Sequence, residues 1–243
     1  TVMVSEQAKI AQSLGGIVAS SNLSKSGVAT ISDCWFSGNI INRSNSATNY
    51  VAAIIAFPNM TMGTQNIRNC YAAGTIQMTT TPLNYGVIYG KKASMKLLAE
   101  NNYSVGLSAS TSDGAIMVTD QQLHNGNLCW LLNCDQTSVA FGQDLTDGES
   151  IPVTLVDGMQ VYRQHFIVCD TAYSSRFYNT DMLSVFPAAP VIEDNKFLGW
   201  FDSPEGGEQY FENTPVSDDM ILYAHFENPT GVTPVIDNGQ LTI

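Results

Sequence analysis

The sequence predicts a mainly β protein in two parts: a first half of repeated strand pairs, and a small β module near the C-terminus. Three observations carry this. A pair of short apolar segments recurs three times before residue 107, and the polar residues are mostly Asn, Ser, Thr and Gln rather than charges. Aromatic-rich runs also bracket a Pro-Gly turn between 196 and 227. Charged residues are 13 % of the chain, roughly half the usual share, while 44 % hydrophobic residues are enough for real cores. At 243 residues the chain exceeds the common single-domain size, so two modules are expected.

The repeat comes first in the chain. "GGIVAS" at 15–20 precedes "ISDCWFSGNI" at 31–40, "AAIIAF" at 52–57 precedes "IRNCYAAGTI" at 67–76, and "YGVIYG" at 85–90 precedes "ENNYSVGL" at 100–107. Aligning them matches Cys34 with Cys70 and Asn102, Trp35 with Tyr71 and Tyr103, and Gly38 with Gly74 and Gly106, at spacings of 36 and 32 residues. One copy is a strand, a polar loop, a second strand and a glycine turn, which cannot bury its apolar side alone; stacking the copies does so. Equivalent positions would then lie about 4.8 Å apart. At Cys34 and Cys70 this leaves open a disulfide or two buried thiols, the latter preferred. Trp35, Tyr71 and Tyr103 are the candidate ligand-binding residues if they form an exposed row; an internal aromatic ladder is the preferred alternative.

These segments resemble the GLUG-type repeats of bacterial surface proteins, carried by "LGGIVAS", "ISDCWFSGNI", "IRNCYAAGTI" and "YGVIYG". The resemblance implies a parallel β-helix or related β-solenoid over residues 1–118. Ala52 and Ala53 stand where the family has its double glycine, and Asn102 where it has cysteine.

Residues 119–160 form a connector. In "TDQQLHNGNLCWLLN", 119–133, Thr119 and Gln122 fit a capping box and Leu123, Leu128, Leu131 and Leu132 fall near helical spacing. A short helix capped by Thr119 and irregular at Gly126 is expected to cover the open end of the last repeat. "NGNLCWLLN" leading to "ESIPVTLVDGMQVY" also resembles a segment that follows such repeats in surface proteins of gut Bacteroides type. The acids Asp144, Asp147 and Glu149 sit in a stretch too short for an EF-hand.

Residues 161–228 read as strands, a turn and strands. Strict alternation puts Phe197, Gly199 and Phe201 on one face and Leu198 with Trp200 on the other; in "ILYAHF" it sets Ile221, Tyr223 and His225 against Leu222, Ala224 and Phe226. The run from Val191 to Phe226 resembles the Listeria and Bacteroides repeat, also called the internalin B repeat. Phe197, Gly199, Trp200, Phe201, Gly206, Gly207, Pro215, Val216, Leu222, Tyr223 and Ala224 carry the likeness; Phe226 stands where the family often has tryptophan. It implies a β-grasp-like module serving as spacer or interaction unit without catalytic residues, with Trp200 in its core rather than on a sugar platform. In "DSPEGG" the proline fixes one angle and the glycines supply positive φ. Residues 229–243 read as a linker or tail.

Ten Lys and Arg against 22 Asp and Glu give a net charge of −12, a field that repels phosphate backbones, so nucleic acid is not an expected partner. No apolar run reaches the ~18 residues of a membrane span. "TVMVSEQAKI" lacks the basic start and apolar stretch of a signal peptide; if the chain is exported, a targeting segment or lipid anchor is expected upstream. The five cysteines have no paired CxxC spacing, and His124, His165 and His225 are scattered outside any metal motif, so no metal or cofactor is expected. In the repeats, Asp33 and Glu100 are scattered among Lys25, Arg43, Arg68, Lys91, Lys92 and Lys96, and no carboxylate recurs at equivalent positions, which gives an enzyme little to work with. The basic residues at 91–96 read as a solvated loop.

Together these point to a non-enzymatic cell-surface or secreted protein that adheres to or recognises a host protein, matrix protein or glycan, or acts as a spacer. The alternatives are a carbohydrate-active β-helix protein and an accessory region of a larger surface peptidase.

Overall fold

The computed structural model describes residues 1–4, 12–23, 26–60, 63–90, 96–107, 113–227, 235–237 and 240–242. Lys25, Lys91 and Lys92 lie outside these residues. The chain is mainly β, with two short helices among the described residues. It divides into two compact units: residues 1–142 with 151–155, and residues 143–150 with 156–243. The helical part of the connector thus belongs to the first unit and the acidic loop to the second.

The first unit is built on parallel ladders. Val28–Ser32, Thr64–Arg68 and Lys96–Glu100 lie side by side, with Arg68 facing Ser32 on one side and Glu100 on the other. Trp35–Phe36, Tyr71–Ala72 and Asn102–Val105 form the next ladder, which Ala115–Val118 extends. Val2–Val4, Asn39–Asn42 and Thr75–Met78 form a third. Ser13–Gly15, Tyr50–Ala52 and Asn84–Tyr85 form a fourth, and Val18–Leu23 pairs with Ile55–Met60. The hydrogen-bonded partners Trp35, Tyr71 and Tyr103 are the same residues that the repeat alignment equates.

Period-two alternation decides what enters the core. Ile31, Ile67, Leu97 and Ala99 pack inward, while Val28, Thr30, Arg68, Leu98 and Glu100 are exposed. The core gathers Leu14, Ile40, Val51, Ile54, Ile55 and Ile88 with their neighbours. Gly74 is dictated by backbone approach: a Cβ there would sit 1.9 Å from the Gly38 carbonyl oxygen.

Polar side chains complete the ladder where the copies differ. Asn102, standing in the cysteine position, donates to the Ile67 carbonyl at 2.8 Å and accepts from the Cys70 amide at 3.1 Å. The second copy donates from Ala53 and Ile55 to the carbonyls of Val87 and Ile88. The Val87 and Ile88 amides themselves donate to buried Asp113, at 2.5 and 2.6 Å. A buried amide without an acceptor is costly, and Asp113 takes the place that another strand's carbonyls would fill.

The expected helix is two helices. In the first, Asp120–His124 (α1), Thr119 and Gln122 make the reciprocal capping box. Gly126, at φ 89°, then turns the chain into the second, Asn127–Asn133 (α2). Leu123, Leu128, Cys129 and Leu132 are buried.

The second unit holds a five-stranded sheet in the order Thr171–Asn179, Val161–Val168, Met220–Glu227, Lys196–Phe201, Gln209–Tyr210. Its pairs are antiparallel except Val161–Val168 with Met220–Glu227, which is parallel. Phe166, Trp200 and Leu222 make the core, so Leu222 and Ala224 mark the inner side of their strand and Ile221 is exposed. The strict alternation expected for "KFLGWF" fails. The register shifts between Phe197 and Gly199, and this irregularity places Phe197 against Trp200, ring centroids 5.5 Å apart. Phe201 instead stacks on His225 at 4.0 Å. Gly206 and Gly207 adopt the positive φ expected of the turn, and Asp202 closes it by accepting from the Glu208 amide at 2.8 Å. In the tail, Val235–Asp237 pairs antiparallel with Gln240–Thr242.

Candidate functional site

The three aromatic candidates form a ladder, and most of it lies inside the first unit. Tyr71 is fully buried, its hydroxyl donates to the Pro152 carbonyl, and its ring lies 6.2 Å from Phe141. Tyr103 is buried and donates to Asn101 Oδ1 at 2.5 Å. Trp35 is half-buried, its edge against Phe141 at 6.3 Å. An exposed row of three rings is therefore not formed: Phe141 lies against Trp35 and Tyr71, Pro152 takes the Tyr71 hydroxyl, and Tyr103 is itself buried. Burial pushes the Tyr71 phenol well above its ordinary range and that of Tyr103 to about 12.

Beside this ladder runs a column that the repeat alignment passed over. Asp33, Asn69 and Asn101, each immediately before the aligned Cys or Asn, adopt the left-handed conformation at φ 56°, 50° and 51°. Asp and Asn tolerate that region because their short polar side chains bond locally. Here they bond to one another. Asn69 Nδ2 donates to Asp33 Oδ1 at 3.4 Å, and Asn101 Nδ2 donates to Asn69 Oδ1 at 2.8 Å and to the Leu131 carbonyl of α2 at 3.3 Å.

At the end of this column lies a cleft of about 540 Å³, lined by Arg68, Asn69, Glu100, Asn101, Ile116 and the Asp135–Thr137 loop that follows α2. Each wall has a local cause. Arg68 and Glu100 are register partners at the outward ends of their strands, and the tight turns after them place Asn69 and Asn101 at the rim. Ile116, 52 % exposed, offers an apolar patch. Gln136 is tied to the Leu132 carbonyl at 2.8 Å, which anchors the loop to α2. Among the described residues, the side chains of Arg68, Glu100, Asp135 and Thr137 make no hydrogen bond or ion pair with protein groups. The cleft thus offers a fork of guanidinium donors, two carboxylates, a hydroxyl and a small apolar surface. Such a set suits a neutral ligand dense in hydroxyls. Sequence counting saw Arg68 and Glu100 as scattered charges; their 32-residue spacing, equal to that of the second and third copies, was the available signal.

The remaining candidates are structural. Asp144 accepts from the Thr146 amide and hydroxyl, which hold its carboxyl below the usual range, and Asp147 accepts from the Glu149 amide. His124 contacts Asp120, His165 contacts Ser175 Oγ at 2.8 Å, and His225 contacts the Ser203 carbonyl at 2.8 Å. Trp200 is 3 % exposed and offers no platform. Beside it, Phe186, Phe197, Leu198, Tyr210 and Phe211 line an open groove of about 400 Å³. No protein-family model and no curated protein matches the chain.

Proposed function

We propose that this chain is a non-enzymatic recognition protein, secreted or displayed on a bacterial surface, that binds a glycan in the polar cleft of its first unit. In this reading the parallel ladders are coils of a β-solenoid of GLUG-type repeats, and the second unit is a β-grasp-like module of internalin B type that spaces or presents it. The observation that carries the reading is the uncommitted set of Arg68, Glu100, Asp135 and Thr137 around Ile116. Arginine and carboxylates engage neighbouring hydroxyls in pairs, and the isoleucine supports the C–H face of a sugar ring.

A glycan array probed with the full chain is expected to show saturable binding to a restricted set of glycans. Binding to none of them, with or without binding to matrix proteins, contradicts the glycan reading. Antibody labelling of intact source cells is expected to mark the surface; labelling only after lysis contradicts that placement. A second reading has one observation in its favour: Glu100 and Asp135 put two carboxylates in one cleft, the chemical minimum of a glycoside hydrolase. Shortened glycans after prolonged incubation would favour it over recognition.

A further inference from the structure

We infer that Cys34 and Cys70 are a reactive dithiol that closes into a disulfide across neighbouring strands when the chain meets a small-molecule disulfide. Three observations place the sulfurs together. The residues immediately after them, Trp35 and Tyr71, are ladder partners, and the Tyr71 amide donates to the Cys34 carbonyl at 3.1 Å. The Cα atoms of parallel neighbours lie about 4.8 Å apart, within the ~4.4–6.8 Å that a disulfide spans. Both sulfurs also lie against the same strand, Val28–Ser32, with Cys34 Sγ 3.0 Å from the Ser32 carbonyl oxygen and Cys70 Sγ 3.8 Å from that of Ile31. Cys70 Sγ further lies 3.2 Å from the Arg68 carbonyl oxygen of the strand before it.

The pair is asymmetric, which assigns the roles. Cys34 is half-exposed and Cys70 fully buried. The neighbouring Cys70 side chain holds the Cys34 thiol below its ordinary value, and the Cys34 side chain together with burial pushes the Cys70 thiol up. Cys34 as thiolate therefore attacks one sulfur of the external disulfide; that S–S bond breaks, one external thiol leaves, and a mixed disulfide remains on Cys34. Cys70 then loses its proton and attacks Cys34 Sγ, expelling the second external thiol, which takes up a proton. Two protein thiols are oxidised and one external disulfide is reduced to two thiols. Asn102 at the third position ends the stack, so the linkage joins the first two copies only.

The test is incubation of the full chain with oxidised glutathione, alkylation of the remaining thiols, and mass spectrometry of the tryptic digest. Cleavage at Arg43 and Arg68 separates the two cysteines onto peptides 26–43 and 69–91. The expected result is these two peptides linked, with exposed Cys134 carrying only a mixed adduct. Cys70→Ala is expected to halt at a glutathione adduct on Cys34, and Cys34→Ala to leave Cys70 alkylatable only after unfolding. Recovery of both peptides alkylated, a lasting adduct on Cys34 in the unmodified sequence, or a link from either to Cys129 or Cys134 would overturn the inference.

Discussion

Tyr71 and Tyr103 show how one residue type acquires a structural duty. Both phenols bind their protons more tightly in the folded chain than in the unfolded one, because burial disfavours the phenolate. Their contribution is fully present below the ordinary tyrosine value near ~10. It is lost as pH rises through the folded values, about 12 for Tyr103 and higher for Tyr71, so stability should fall on the alkaline side. Tyr71→Phe removes the hydroxyl that serves the Pro152 carbonyl and should cost about 1–2 kcal/mol at neutral pH. Its stability should then decline less steeply above pH ~10 than that of the unmodified sequence, as measured by denaturant unfolding across pH. An equal alkaline slope would contradict the assignment. At this scale the sequence was only partly legible. Alignment of the copies identified the Trp35, Tyr71 and Tyr103 ladder, but which rings water reaches depends on Phe141 and Pro152, far along the chain. Asp113 was invisible for the same reason, since nothing near it announces that it will serve the Val87 and Ile88 amides.

Single elements were read well where local chemistry decides and poorly where a backbone irregularity intervenes. The Thr119 capping box and the break at Gly126 follow from adjacent residues and appear as expected. The face assignment in "KFLGWF" did not survive, because one register shift at Leu198 reverses which rings share a side. Gly199 belongs to this shift. Its φ of 142° disfavours side chains, and a Cβ would meet Gln209 Nε2 at 2.3 Å, while Gln209 itself donates to the Leu198 carbonyl at 3.1 Å. Gly199→Ala should therefore destabilise the second unit by about 1–3 kcal/mol, seen as an earlier unfolding transition in hydrogen exchange of the 161–227 amides. Unchanged protection there would show that the strand reaches its register without the glycine.

For the molecule as a whole, the repeat spacing foretold the ladder and the composition foretold a mainly β chain, since neither depends on any single residue. The cleft was not foretold. It is assembled from strand ends 32 residues apart and from a loop after α2, and only stacking brings them to one place. The most direct test of the central claim compares glycan binding by the unmodified chain with that of Arg68→Ala, Glu100→Ala and, as an outlying control, Arg176→Ala in the second unit. Solvent-exposed substitutions away from packing should leave the fold intact within about 0.5 kcal/mol. The two cleft variants are expected to lose at least about tenfold in affinity, the equivalent of ~1.4 kcal/mol, while Arg176→Ala binds as before. Retained binding in both cleft variants, or loss on Arg176→Ala alone, would contradict the claim.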